Sequence, residues 1–151
     1  MIERLTALGI VLPPPLAALG SYRVVSVDGD TAYVSGLGPF IDGKPVKGRV
    51  SAELSLAEGY DAARLTMLMI LSCLHDAVGL GRVERCTRLT VYVRAIDGFT
   101  QHPAIADGAS DLLRDVFGAD RLPARSALGV HTLPMGIPVE IDSVFRLSTR
   151  A

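Results

Sequence analysis

From Ser55 to Gly79 the sequence carries one long helical signal, and any fold the chain adopts has to bury it. Ser55 stands where an N-cap accepts from the first helical N–H groups. Glu58, three residues on, completes a capping box, and the pattern runs to about Val78 before Gly79 and Gly81. Ala63, Met67, Ile70, Leu71, Leu74 and Val78 recur at helical spacing and make one broad apolar face, which predicts packing on a sheet. Leu65, Leu68 and Met69 lie off that stripe, so apolar surface covers more than half of the girth. A second packing partner accounts for this, either another helix or a neighbouring subunit; a wide core within the chain accounts for it equally.

The segments flanking this helix supply the sheet. Ile2, Leu5 and Leu8 fit a short helical turn before Gly9, and Pro13, Pro14 and Pro15 then remove three N–H donors and force an extended path. Val24, Val25 and Val27 lead through Asp28-Gly29-Asp30 into Thr31 to Ser35, the pattern of two short strands on a tight turn. Gly36, Gly38, Pro39 and Gly43 break the next stretch into a loop with a turn tip at Asp42-Gly43, a plausible site wall because glycine backbone approaches ligands closely. Cys86 to Arg94 alternates, with Thr87, Leu89, Val91 and Val93 on the apolar side. A second, amphipathic helix starts near Pro103, carries Ile105, Ala109, Leu112, Leu113, Val116 and Phe117, and stops at Gly118. Strands follow from about Ser126 to Thr132 and from Ile137 to about Leu147, joined by Leu133-Pro134-Met135-Gly136.

The order ββ-α-β-α-ββ predicts a mixed α/β (α+β) domain with both helices on one face of a single sheet. The other face then lacks a cover within the chain, and hydrophobic surface of that size predicts a partner.

With 151 residues the chain is long enough for one real core without disulfides or metals. Fifteen Lys and Arg stand against sixteen Asp and Glu with no basic cluster, which argues against duplex nucleic acid as a partner. The strongest apolar run, Leu65 to Leu74, is too short to span a membrane, and Met1 to Gly9 has no export-type apolar core, so the expected location is cytoplasmic. Cys73 and Cys86 are accordingly expected as reduced, half-buried thiols.

The chemistry-bearing residues are few. His75, His102 and His131 have no metal-ligand spacing, and Gly36-Leu37-Gly38 lacks the rest of a dinucleotide-binding motif, so neither metal nor cofactor is expected. Arg125, after Pro123-Ala124, can offer a two-pronged contact to a carboxylate, or can be a surface or salt-bridge arginine. Glu140 interrupts an apolar strand between Val139 and Ile141, and either faces solvent by simple alternation or sits in a shielded pocket. The two lie on sequential strands joined by a short turn, and converge if a hairpin sets them at one level, one to hold an anion and the other to shuttle a proton. Tyr22 offers an aromatic wall and a hydroxyl, or ordinary packing.

Pro123-Ala124-Arg125-Ser126, Leu133-Pro134 and Pro138-Val139-Glu140-Ile141 resemble the signature segment of the RidA/YjgF (reactive intermediate deaminase, endoribonuclease L-PSP-like) superfamily. Gly20-Ser21-Tyr22 and Val34-Ser35-Gly36 extend the resemblance to about residues 18 to 148, leaving residues 1–17 as an N-terminal extension of one domain spanning 1–151. The resemblance implies a chorismate-mutase-like fold and a homotrimer whose sheets form a central barrel, with clefts between subunits. It also implies cofactor-independent hydrolysis of 2-aminoacrylate-type enamines and imines to 2-keto acids and ammonia. Carried onto this chain, Arg125 holds the substrate carboxylate, Glu140 activates water, Tyr22 walls the pocket, and Ser35 and Gly36 lie near the same cleft.

Two positions depart from the deaminase pattern: Ala127 stands where a cysteine is common, and Leu37 where a glutamine often follows Ser-Gly. They make the pocket less polar and keep a second reading open, a non-catalytic protein that binds small carboxylates. Ribonuclease activity, which gave the family one of its names, fits the near-neutral charge poorly.

Overall fold

The capping box sets the start of the long helix as the sequence predicts: the Ser55 hydroxyl accepts from the Glu58 N–H at 3.1 Å, and the Glu58 carboxylate accepts from the Ser55 N–H at 2.7 Å. In the computed structural model, which describes residues 1–149, this helix follows a short N-terminal one. With α1 at Ile2–Ala7, the long helix α2 is Leu56–Val78 and the second amphipathic helix α3 is His102–Phe117. The strands are β1 Val25–Asp28, β2 Thr31–Leu37, β3 Phe40–Ile41, β4 Lys44–Pro45, β5 Val83–Arg94, β6 Ala124–Val130 and β7 Val139–Leu147. The small β3–β4 hairpin turns at Asp42-Gly43, where both residues take positive φ.

Five strands form one mixed sheet in the order β1-β2-β7-β5-β6. Only β5 and β6 run parallel, with α3 as the crossover that a parallel connection requires. Alternation on β5 and β7 turns Leu89, Val91, Val93, Val139, Ile141 and Phe145 into the core beneath the two helices. The α2 stripe from Ala63 to Leu74 buries on the same core, and α3 is the second partner that its apolar girth demands. Cys73 and Cys86 are both buried free thiols, and burial pushes Cys86 up to about 12.

Three expectations need correction. Alternation predicts Thr87 on the apolar side of β5, but a bulge between Cys86 and Arg88 gives that place to Cys86, and the Thr87 hydroxyl donates to the Val144 carbonyl at 3.1 Å. The uncovered sheet face is mixed, not broadly hydrophobic: it presents Tyr33, Leu128 and Val144 beside Arg88, Thr90, Tyr92, Glu140 and Asp142, tied by bonds such as Tyr92 to Asp142 at 2.9 Å. A partner on this face would therefore meet polar groups. Third, β6 and β7 are no hairpin, because β5 lies between them.

Candidate functional site

Glu140 follows a buried Val139 and precedes a buried Ile141, so the pleat sends its side chain to the face away from the helices. The neighbouring strand β2 is shaped to meet it. Val34 and Leu37 are both buried although they stand three residues apart, which an unbroken strand cannot achieve; a bulge between them supplies the extra residue. Gly36 lies in that bulge. A Cβ there would come within 2.9 Å of the Glu140 carboxyl carbon, so bare backbone is what lets the carboxyl lie against β2.

Around this pair opens a cavity of about 310 Å³. Gly36, Leu37 and Glu140 line it together with Leu16, Leu19 and Tyr22. Pro134, Met135 and Ile137 add a further wall. Met135 holds φ at 59°, an uncommon conformation for a side chain of this size, in the turn that shapes this wall. The Tyr22 hydroxyl accepts from the Leu19 N–H at 3.2 Å, which orients the ring and leaves the hydroxyl proton for another acceptor.

No hydrogen bond or ion pair from the described residues reaches the Glu140 carboxyl, which is half-buried. Burial pushes its proton affinity above the ordinary glutamate range, and the nearby Asp142 charge adds to this. A group whose folded pKa is raised contributes its full stability below the unfolded value of about 4.3, and loses it as pH rises through the native value. Glu140→Gln is therefore expected to unfold at a higher temperature than wild type at pH 7, with the difference vanishing below about pH 4. Thermal denaturation at the two pH values checks this.

Arg125 is elsewhere. Its register partner is Leu89, so it lies on the helix side of the sheet, where one guanidinium nitrogen, Nη1, donates to Asp107 at 2.7 Å and to Ser110 at 3.0 Å. Its Nε and Nη2 donate to no described residue and border a separate open cleft with Pro123 and Leu122. Ala127, two residues on, shares that face and packs on the core. Within one chain Arg125 and Glu140 thus occupy opposite faces, and the convergence expected from a hairpin does not occur. Ser35 lies in the bulge, and its hydroxyl donates to the Arg23 carbonyl at 2.7 Å.

Sequence reasoning brings Tyr22, Gly36, Leu37 and Glu140 to one cavity but overlooks the strap at Leu16–Leu19 and the Met135 wall. The prolines at 13–15 were the available signal for the strap, since they force the extended path that carries it across the cavity mouth. Among the described residues no group of three or more His, Cys, Asp or Glu is placed to hold a metal ion. No helix there is long and apolar enough to cross a membrane.

A family model described as "YjgF/chorismate mutase-like, putative endoribonuclease" matches residues 2–140. Protein TCP17 of Trypanosoma cruzi is 39% identical over 147 residues, covering 95% of this chain and 92% of that protein. A crystal structure described as a putative endoribonuclease from Shewanella oneidensis MR-1 superposes with a TM-score of 0.91 at 32% identity, covering 97% of this chain and 98% of that one. A protein of unknown function from Agrobacterium tumefaciens superposes with a TM-score of 0.87 at 31% identity, covering 97% and 91%.

Proposed function

Because the chain belongs to the YjgF/chorismate mutase-like (RidA) family, we propose that it hydrolyses enamines and imines of the 2-aminoacrylate type in clefts that two copies build together. Family membership supports the handling of reactive intermediates in general. The specific reaction rests on one observation, the unpartnered Glu140 carboxyl with raised proton affinity beside bare Gly36 backbone in a partly open cavity.

The opposite-face placement of Arg125 dictates the rest. Arg125 stands on β6, an edge strand whose outer side has no neighbouring strand among the described residues, so a second copy can approach it. A free Nε and Nη2 pair offers the two parallel N–H groups that a carboxylate takes. A ring of three copies, each giving its edge arginine to the next copy's Glu140 cavity, satisfies both residues with a heterologous interface that closes.

In that cleft the substrate carboxylate rests on Arg125. The enamine gains a proton on its terminal carbon to become an iminium ion, with protonated Glu140 as donor. Water then bonds to C2 while the Glu140 carboxylate takes its proton. That proton passes to nitrogen, the C2–N bond breaks as the C2 hydroxyl returns its proton to the Glu140 carboxylate and the keto C=O forms, and ammonia leaves; enamine plus water gives 2-keto acid plus ammonia. No electron acceptor or cofactor enters this balance.

Arg125→Ala is expected to lower kcat/KM for ammonia release from freshly generated 2-aminoacrylate by about 10- to 100-fold, mostly through KM, as the loss of a charge-assisted contact implies. Equal rates in wild type and variant remove Arg125 from the site. Saturable binding of 2-keto acids with no turnover would favour the non-catalytic reading, which the apolar lining and the Asp107 partner of Arg125 keep in view.

A further inference from the structure

The strap is clamped onto α2 by two consecutive side chains. The Ser72 hydroxyl donates to the Pro13 carbonyl, and the Cys73 sulfur accepts from the Leu16 N–H at 3.3 Å while lying 3.8 Å from the Leu16 carbonyl. With prolines at 13–15 the strap has few backbone donors of its own, so these side chains fix its height above the sheet. That height sets Leu16, Ala17 and Leu19 against the cavity.

The cavity is also lined by Leu37, Phe40 and Ile137, and among the described residues lining it Glu140 is the one that carries a charge. A three-carbon acid engaged at Glu140 would leave most of this apolar wall in contact with water. A substrate with a longer, branched apolar side chain would cover it, and the gain follows the apolar area removed from water. The cavity is also at the lower end of the size range of small-molecule pockets, roomy for a three-carbon compound.

Resting on the reading above, we propose that the site selects 2-imino acids with branched or extended aliphatic side chains, and that the clamped strap, through Leu16, is its specificity-determining wall. The products would be the corresponding aliphatic 2-keto acids. A reaction that oxidises aliphatic amino acids by two electrons, leaving the nitrogen as an imine, is the class that must supply them.

Calorimetric titration of the full chain with pyruvate and with 4-methyl-2-oxopentanoate tests this without relying on turnover. Three added carbons at roughly fourfold each predict tighter binding of the branched acid on the order of 60-fold. Leu16→Asn is expected to reduce that ratio below about tenfold. Cys73→Ala, which removes the clamp, should move it the same way, and Cys73→Ser, which keeps a donor and an acceptor, should hold it. Equal affinity for the two acids in wild type, or an unchanged ratio in Leu16→Asn, overturns the inference. If both imines are hydrolysed equally well with dependence on Arg125 and Glu140, the proposed function survives and this inference does not. Selective binding without hydrolysis gives the converse, and binding of neither acid overturns both.

Discussion

Glu140→Gln is expected to lower the rate of ammonia release from 2-aminoacrylate by about 10²- to 10⁴-fold, the usual contribution of a positioned acid or base. Glutamine keeps the shape that fits against Gly36 but can neither release nor accept the proton that water attack requires. Substrate anchoring by Arg125 is untouched, so the loss should appear in kcat with KM little changed. Loss of fold cannot imitate this result, because the same substitution is expected to raise thermal stability at pH 7. The wild-type rate should also depend on pH, falling as the carboxyl loses, above the ordinary glutamate range, the proton it must first give to the enamine carbon. A Glu140→Gln protein with near wild-type kcat would assign the cavity to binding alone.

The second large effect concerns stability. A Cβ at Gly108 on α3 would lie 2.1 Å from the Tyr60 carbonyl oxygen, 2.9 Å from its carbon and 3.1 Å from the Arg64 nitrogen, all on the backbone of α2. Two effects of Gly108→Ala oppose each other. Alanine favours a helix interior over glycine by about 1 kcal/mol. Against this, ordinary contact needs about 3.5 Å, so the two helix backbones would have to separate by roughly 1 Å along a packed interface. Overpacking of this kind costs about 3 kcal/mol, and it wins because the obstructing atoms are backbone and cannot rotate away. Gly108→Ala is therefore expected to lose about 2 kcal/mol net, measured by denaturant unfolding. A gain in stability would show that α2 and α3 do not approach this closely.

That contact marks where the sequence stops being informative. Gly108 interrupts a good amphipathic pattern, and its spacing alone does not say whether it is a defect or a place where another backbone passes. The helices themselves were legible because their signals are local: Ser55 with Glu58 and Gly79 define α2, while Pro103 and Gly118 bracket α3. The five strands of the main sheet were equally legible from their β-branched and alternating patterns, whereas the two-residue strands β3 and β4 read as loop, and strand order was not legible. Placing β5 between β6 and β7 depends on α3 carrying the chain across, and no residue near Arg125 or Glu140 encodes that. The same non-local fact separates the two residues by a sheet face. The cavity was half legible, since the glycines after Ser35 announced close backbone approach. Its other half comes from residues 16–19, which are distant in sequence and arrive through the Cys73 clamp.

The proposed reaction requires that Arg125 of one copy and Glu140 of another share a cleft. Mixing Arg125→Ala and Glu140→Gln proteins after reversible unfolding, each strongly impaired alone at substrate well below KM, tests it directly. Each mixed pair in the right order contains one intact arginine and one intact glutamate. Random mixing should therefore restore about a quarter of the wild-type rate of ammonia release. Mixed oligomers, confirmed by mass, that stay as impaired as the two parents would contradict a site shared between copies.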